Sequence, residues 1–395
     1  MSTRYRILHL LPDLVRGGGQ VVALELVAHA DTSRFEMHVA SLRPPDDLRL
    51  AFEHAGAECF QVSSVTEVLA ALALARQIRD RRIDLLHVHS DPDRRVGQLA
   101  ALLTGTPVVG HLHSPWAHLQ PMYSDRAGPL GKASAALKAR LRRAVERKVV
   151  KHYVAAGAQV AAFHADLVDA PITIANNGVD VSRFTPVTAD SRRRGRSALG
   201  IGHDVRLLVC VGRLAPGKGQ DELVRLLASV PGAVLLLIGD GGERTALSRQ
   251  AEALGVSDRV ILAGEREDVS LLLRAADLFV LASVSEGLPI SVLEAMACEI
   301  PVVAYDLPGL RDVITDGRDG CLVTLGDREA LASVIRDLLE DESSRATLGN
   351  AARETVMARF DARHMARDAE AAYDVVLGNE PLDSRRSGGD RLVTR

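Results

Sequence analysis

The sequence predicts an α/β protein made of two doubly wound parallel-sheet domains that face a cleft. The first observation is its length, because 395 residues exceed the size at which a single hydrophobic core stops growing. The second is the regular alternation of short β-rich runs with amphipathic helical stretches in both halves, the pattern of βαβ units. The third is a stretch with proline, glycines and a charge cluster at 185–204, which predicts a linker.

The strands and helices follow in chain order. In the first half we predict strands over Arg6–Leu11, Met37–Leu42, Leu85–His89 and Pro107–His113, and helices over Gln20–His29 and Glu67–Arg79. The second half repeats the pattern, with strands over Val205–Val211, Ala233–Ile238, Val260–Leu262, Leu278–Leu281 and Val302–Tyr305. We therefore place the domains at 1–184 and 205–362. The polar end, 380–395, predicts a disordered tail.

Composition indicates an ordinary globular protein. Hydrophobic residues make up 47%, charged residues 25%, and the net charge of −3 shows no global preference for nucleic acid. The cysteines Cys59, Cys210, Cys298 and Cys321 lack a C-x-x-C spacing, so we expect reduced core residues. The N-terminus has no signal-peptide pattern and no apolar stretch is long enough to span a bilayer, which predicts a cytoplasmic protein.

The segment Ser285–Ala295 is the most informative motif. Pro289 is typical of the first helical position, and the N-terminus of such a helix offers free amides and a positive dipole end. The amides of Gly287, Leu288, Ile290 and Ser291 are predicted to cradle a diphosphate. The carboxylates accept hydrogen bonds only, which predicts a sugar ring as the partner of Glu286 and a ribose diol as the partner of Glu294. The alternative is an acidic loop before an ordinary amphipathic helix.

The segment Val211–Gly219 nearly spells a P-loop. Gly219 stands where the magnesium-binding Ser or Thr belongs, which argues against a nucleotide triphosphatase. Arg213 and Lys218 instead follow a strand end, where two cations would neutralise a departing diphosphate without a metal. A solvated basic loop is the alternative.

Two further glycine clusters follow predicted strands. Ile238–Arg244 begins like a dinucleotide fingerprint, but Arg244 occupies the place of the last glycine, so a nicotinamide enzyme is disfavoured and a tight turn is expected. Gly17, Gly18 and Gly19 lie between the first strand and helix, where a bare backbone approaches a phosphate or sugar closely.

Two His-x-His pairs, His87/His89 and His111/His113, lie on predicted strands with both rings of each pair on one face. They are compatible with zinc, but no cysteine or carboxylate cluster accompanies them, so we expect packing, no metal site and one functional imidazole. His113 is best placed, since ligands of open α/β sheets bind beyond the carboxyl ends of the strands. Asp91-Pro92-Asp93 has the spacing of metal-dependent sugar transferases, but a turn with a helix cap explains it equally well.

The stretch Lys132–Lys151 carries eight cations against the single acid Glu146, interleaved with apolar residues. Such a basic amphipathic helix suits either peripheral contact with an anionic membrane or a solvated helix face.

Together these motifs resemble the retaining glycosyltransferases of family 4, also called glycosyl transferases group 1. The similarity spans roughly 5–375 and is most specific over Ala276–Ser283, Glu286–Pro289, Glu294–Ala297 and Pro301–Ala304. The other motifs that carry it are Gly17–Gly19, His113, Asn177–Asp180, Gly212–Leu214 and Lys218–Gly219. The resemblance implies the GT-B architecture of two Rossmann-like domains, with the nucleotide sugar held mainly by the second and the acceptor by the first. It also implies a C-terminal helix, about 363–379, that crosses back to the first domain.

The resemblance also implies roles for individual residues. Glu286 would contact the donor hexose, Glu294 the ribose, and Arg213 with Lys218 the diphosphate. Gly287, Leu288, Pro289 and Ile290 would line the donor site, and Gly18 or Gly19 would approach the diphosphate from the first domain. His113 would hydrogen-bond the sugar near the reacting carbon. Such enzymes need no metal or other cofactor. Asp312 stands where the family often has glutamate, and we assign it no role.

The predicted function is transfer of a hexose from a UDP- or GDP-sugar to a glycan, a lipid-linked sugar or a small molecule. A nucleotide-sugar epimerase of the same architecture and a non-catalytic sugar-nucleotide binding protein are the alternatives. The Glu-x7-Glu helix argues against the first, and the intact set of His113, Arg213, Lys218 and Glu286 argues against the second.

Overall fold

Two parallel sheets with helices on their faces make up the structure, a computed structural model that describes residues 4–89, 91–114, 140–379 and 392–393. Contacts divide the chain into a first unit, Met1–Asn177 with Ala362–Arg395, and a second unit, Gly178–Asp361. The predicted α/β class with two parallel-sheet domains is confirmed.

The first unit has its strands in the order β7-β6-β5-β4-β1-β2-β3, all parallel. These strands are β1 Tyr5–Leu11, β2 Phe35–Ser41, β3 Glu58–Gln61, β4 Leu85–Val88, β5 Val108–Leu112, β6 Val150–Ala155 and β7 Ile172–Ile174. Its helices are α1 Gly18–Ala28, α2 Arg49–His54, α3 Glu67–Arg81, α4 Asp91–Thr104, α5 Ala158–His164 and the C-terminal helix Ala362–Leu377, and residues 140–149 are also helical.

The C-terminal helix packs in the first unit against α1, β6 and β7. Leu392–Val393 pairs antiparallel with β7, and the other residues of the predicted disordered tail lie outside the described part of the chain. Within that part, no helix combines the length and the apolar composition that membrane crossing requires.

The second unit has the strand order β10-β9-β8-β11-β12-β13, again all parallel. The strands are β8 Arg206–Val211, β9 Ala233–Ile238, β10 Val260–Gly264, β11 Leu278–Leu281, β12 Val302–Tyr305 and β13 Cys321–Val323. The helices are α6 Ala189–Leu199, α7 Gln220–Leu226, α8 Arg244–Ala253, α9 Val269–Leu273, α10 Ile290–Ala297, α11 Pro308–Arg311, α12 Arg328–Glu340 and α13 Glu342–Arg359. All four cysteines are free, and Cys321 is only partly buried.

The predicted linker at 185–204 is wrong, because this stretch contains α6 and belongs to the second unit. Thr188 and Ser191 form a capping box at its start, and Gly200 ends it in the left-handed conformation. In the charge cluster that suggested a linker, Arg193 and Arg194 are exposed, whereas Arg192 is half-buried and pairs with Asp277. Arg196, one turn further along α6, points inward and is fully buried. A charged helix with one buried arginine has the composition of a linker but not its structure.

Arg196 is held by a network of acceptors at the edge of β8. Its guanidinium donates to the carbonyls of Ala275, Gly202, His203 and Val205 and, at 2.9 Å, to the Asp277 carboxylate. The same carboxylate accepts the backbone N–H of Leu207 at 2.8 Å. A buried cation is tolerated here because every side of it meets an oxygen.

Replacing Asp277 should therefore destabilise the protein strongly. We expect Asp277→Ala to cost about 3–5 kcal/mol, because it leaves the buried Arg196 charge uncompensated. Asp190→Ala removes an acid of α6 that pairs only with exposed arginines, so the matched loss should stay below about 1 kcal/mol. Urea unfolding followed by circular dichroism measures both, and equal shifts would contradict the role given to Asp277.

Candidate functional site

The site in the second unit lies where loops follow the carboxyl ends of β8, β9, β11 and β12. Ligands of parallel α/β sheets bind at this edge. The loop after β8 carries Arg213 and Lys218, and the loop after β11 carries Glu286 and leads into α10. Most of the residues predicted for donor binding therefore converge at one edge of one sheet.

An ion pair joins two of these loops. Nζ of Lys218 lies 2.8 Å from Oε1 and 3.0 Å from Oε2 of Glu286, so it bridges both carboxylate oxygens. The Glu286 side chain is 11% exposed and that of Lys218 33%, which places the pair at the bottom of an open edge and not in the core. Both residues were predicted as site residues, but their direct contact was not.

Glycines let the loops pack backbone against backbone. Gly219 has φ +71° and a Cβ there would overlap the carbonyl of Ala282. A Cβ at Gly309 would overlap the carbonyl oxygen of Gly287, directly beside Glu286. These glycines are needed because no side chain fits between the two backbones.

Polar side chains that the sequence analysis missed support the Lys218 loop. The buried Ser283 hydroxyl donates to the Lys218 carbonyl at 3.2 Å, and the buried Gln220 amide donates to the Arg213 carbonyl at 3.0 Å. The Arg213 side chain itself is exposed, and no described residue pairs with its guanidinium. The loop backbone is thus fixed while the Arg213 cation stays available.

Helix α10 begins one residue later than predicted. Pro289 is its N-cap, with φ −74° and ψ 121°, and Ile290 is the first helical residue. Among the described residues, no side chain caps the N-terminus of α10, so its first amides are open to an anion. Gly287 and Leu288 lead into it, and Glu294 follows one turn inside it, half-buried.

The turn after β9 also matches expectation. Gly239 and Gly241 both adopt positive φ, and the Leu214 N–H donates to the Asp240 carbonyl at 2.9 Å. A Cβ at Gly239 would overlap the carbonyl of Gly212. This turn therefore presses against the start of the Arg213 loop, which is the tight turn expected from the sequence.

In the first unit, Gly18, Gly19 and His113 lie at the carboxyl edge of the sheet. Gly18 and Gly19 open α1, whose N-terminus no side chain caps, and a Cβ at Gly19 would lie 3.5 Å from Nε2 of His113. His113 follows β5, and Nε2 lies 3.3 Å from Nδ1 of His89. Burial, with a smaller effect of Arg94, lowers the pKa of His113 to about 4, so the ring is neutral at pH 7.

His87, His89 and His111 are buried in the first unit beside His9, a ring that the sequence analysis overlooked, and His113 is partly exposed. Nitrogens of His9, His87 and His89 lie within 4.8 Å of one another, as do those of His89, His111 and His113. The expected absence of a metal stays a prediction. Asp91, Pro92 and Asp93 form the first turn of α4, consistent with the start of a helix.

Two glycosyltransferase family models match this chain. Residues 16–183 match the model of Glycosyltransferase Family 4, and residues 191–355 match that of Glycosyl transferases group 1. The chain is 31% identical over 323 residues to D-inositol 3-phosphate glycosyltransferase of Mycolicibacterium smegmatis, covering 79% of this chain and 73% of that protein.

A second relative is the GDP-mannose-dependent monoacylated alpha-(1-6)-phosphatidylinositol monomannoside mannosyltransferase of Corynebacterium glutamicum. It is 34% identical over 195 residues, which cover 47% of this chain and 51% of that protein. The chain thus spans about half the length of several curated relatives that it matches.

Solved structures show the fold. Anabaena Alr3699/HepE, crystallised with UDP and glucose, has a TM-score of 0.80 and 22% identity, covering 94% of this chain and all of that chain. WaaG, a glycosyltransferase involved in lipopolysaccharide biosynthesis, has a TM-score of 0.70 and 21% identity, covering 94% of this chain and 100% of that chain. The predicted GT-B fold is confirmed.

The contact between Gly309 and Gly287 gives a test of the loop geometry. We expect Gly309→Ala to weaken nucleotide-sugar binding about tenfold or more, because the new Cβ displaces the loop that carries Glu286. Gly202→Ala is the matched control, since it lies before β8, outside these loops, and its Cβ would meet only Val205, at 3.7 Å, without a positive φ. Calorimetric titration of both variants with nucleotide sugar measures the change in affinity. Unchanged binding by Gly309→Ala would disprove the close contact.

Proposed function

Because this chain belongs to glycosyltransferase family 4, we propose that it moves a hexose from a nucleotide sugar to an acceptor hydroxyl with retention of anomeric configuration. The observation that carries the proposal is the Lys218–Glu286 pair beside the uncapped N-terminus of α10. One relative is GDP-mannose-dependent and a solved neighbour of the same fold holds UDP-glucose, which supports a UDP- or GDP-sugar as donor. A glycan, a lipid-linked sugar or a small molecule would be the acceptor.

The donor would meet complementary groups along its length. The diphosphate would lie against the first amides of α10, with the Arg213 and Lys218 cations beside it. Glu294, half-buried in α10, would accept hydrogen bonds from the ribose hydroxyls, and Glu286 would accept them from the hexose. Gly287, Leu288, Pro289 and Ile290 would shape this part of the site.

The ion pair has a second consequence. In the structure Lys218 satisfies both oxygens of Glu286, so each charge is the other's partner before a donor binds. A diphosphate would take over Lys218 and free the Glu286 carboxylate for sugar hydroxyls. Binding the two ends of the donor would then be coupled through this one pair.

The reaction would break the bond between the anomeric carbon and the diphosphate oxygen, whose electron pair leaves with the nucleoside diphosphate. The acceptor oxygen would form its bond on the same face of the sugar, and its proton would pass to the leaving phosphate oxygen. The residues of the site would position the reactants and neutralise the growing charge. We propose that Arg213 and Lys218 do so without a metal cofactor.

Kinetics of Lys218→Ala and Arg213→Ala test this proposal. Each should lower kcat about 10²-fold or more, because a cation that stabilises the departing diphosphate is lost. Arg225→Ala, which removes an exposed arginine paired with Asp221 on α7, should leave kcat within about twofold. Wild-type turnover in the Lys218 and Arg213 variants would remove the diphosphate assignment, and loss of wild-type activity in chelator would contradict metal independence.

We also propose a peripheral contact with anionic membrane through the described part of Lys132–Lys151. Arg140, Arg142, Arg143 and Lys148 are exposed in the helical residues 140–149, with 59% of Leu141 exposed beside them. Arg147 is paired with Asp169 and adds no free charge.

Vesicles with anionic lipid should retain the wild-type protein at low salt and should fail to retain the double variant Arg140→Glu/Arg143→Glu. If the wild type and the double variant were retained equally, the helix at 140–149 would be a solvated face and not the membrane contact.

A further inference from the structure

Five imidazoles line one face of the sheet of the first unit, and we call them the histidine ladder: His9, His87, His89, His111 and His113. His9 pairs with His87 in the parallel register of β1 and β4, and the period of two puts the remaining rings on the same side. Tyr373 of the C-terminal helix contacts His87. Only His113, at the open edge, is more than marginally exposed.

Hydrogen bonds divide the ladder into two branches. In the first, Nε2 of His113 lies 3.3 Å from Nδ1 of His89, and Nε2 of His89 lies 3.0 Å from Nδ1 of His9. In the second, Nδ1 of His111 lies 3.2 Å from Nε2 of His87, whose Nδ1 lies 2.7 Å from the Tyr373 hydroxyl. The branches are stacked on each other without a hydrogen bond between their rings among the described contacts.

Each ring of the first branch is uncharged at neutral pH. Burial lowers the pKa of His9 to about 3 and lowers the pKa of His89 well below its usual value, with neighbouring imidazoles adding to the effect at His89. A neutral imidazole has one N–H donor and one acceptor nitrogen. Each ring must therefore donate on one side and accept on the other, so the branch has a direction.

The far end of the branch sets this direction. Nε2 of His9 is buried and has no partner among the described residues. An orphaned buried N–H is less tolerable than an unused acceptor, which places the proton of His9 on Nδ1. His9 then donates to Nε2 of His89, His89 donates from Nδ1 to Nε2 of His113, and the proton of His113 remains on Nδ1.

We propose that His9 and His89 are positioning residues that hold His113 as the neutral tautomer protonated at Nδ1, so that it offers a ligand an N–H donor and not a base. This rests on the proposed transferase function and on the role that the family resemblance implies for His113, a hydrogen bond to the donor sugar. The N–H of a neutral His113 would donate a hydrogen bond to a sugar oxygen. The ring would take no proton from the acceptor hydroxyl. The proton would pass to the leaving phosphate, as that mechanism requires.

A metal would use the same nitrogens differently. It needs three lone pairs that converge on one point. Here most neighbouring rings lie 16–27° from parallel, with His9 and His87 inclined by 44°, and the hydrogen-bonded nitrogens face one another in pairs. No carboxylate of the described residues joins either group of three to balance a divalent charge. The pairwise hydrogen bonds account for the observed spacing without an ion.

Nitrogen-15 NMR of histidine-labelled protein without donor tests the proposal directly. The resonances of His113, assigned by their loss in His113→Asn, should show a protonated Nδ1 and an unprotonated Nε2 at pH 7. A proton on Nε2 or an imidazolium would overturn the proposal. Stoichiometric zinc in the purified protein that disappears in His9→Phe would overturn it too, in favour of a metal site.

Variants at His9 separate positioning from packing. His9→Phe keeps a buried ring but removes the donor to His89, and should give mixed His113 tautomers and lower kcat/KM about fivefold. His9→Asn, whose amide N–H replaces Nδ1–H, should restore the single tautomer. His111→Phe changes the other branch and should leave the His113 resonances in the Nδ1-protonated pattern. Equal effects of His9→Phe and His111→Phe would overturn the proposal.

The NMR result does not depend on turnover. If no nucleotide sugar is turned over but His113 is protonated at Nδ1, the transferase proposal fails and the tautomer assignment stands. If turnover is found but the proton of His113 is on Nε2, the transferase proposal stands and the tautomer assignment fails.

Discussion

Backbone-to-backbone packing between loops is the constraint on which the site of the second unit depends. At Gly219, Gly239 and Gly309 a carbonyl group occupies the space that a Cβ would need. This packing brings the loop after β8 against the loop after β11, and only then does the Lys218 ammonium reach both oxygens of Glu286. The charges of the site are therefore placed by residues that have no side chains.

The first unit solves the opposite problem, since it buries polar rings inside a sheet-to-helix layer. The histidine ladder is tolerated because each imidazole has a hydrogen-bond partner in a neighbouring ring, and His87 also in the Tyr373 hydroxyl. Of the buried ring nitrogens of the ladder, only Nε2 of His9 and Nε2 of His111 lack a partner among the described residues. Burial keeps these rings neutral, so the ladder itself adds no charge that needs compensation. The same packing delivers His113 to the edge of the sheet beside Gly19.

The sequence predicted those elements whose signal is local. β9, β11 and β12 are buried on both faces and read as continuous apolar runs, and their predicted bounds agree with the structure. The edge strands β3 and β13 and the three-residue β7 were missed, because they are short and their pairing depends on neighbours distant in sequence. The six-residue β6 was missed too, because its first residues, Val150 and Lys151, were assigned to the basic amphipathic stretch Lys132–Lys151. Helix α6 was mistaken for a linker because its charges hid the one buried arginine.

The site divides in the same way. Glu286, Glu294, Arg213 and Lys218 were predicted because a spaced motif marks them, although their roles stay proposals. Ser283, Gln220 and His9 were missed because each acts through a contact that only the fold creates. The register of β1 against β4 was the signal for His9, and a pairing of these strands predicted from sequence would have placed it beside His87.

The most direct test of the central claim is a thermal-shift panel of UDP-, GDP- and ADP-sugars and the matching free nucleotides on the wild-type protein and Glu294→Ala. We expect one nucleotide family to raise the melting temperature of the wild type, and Glu294→Ala to lose this shift because the partner of the ribose hydroxyls is gone. No shift with any nucleotide, or an equal shift in the variant, would contradict the assignment of the donor site.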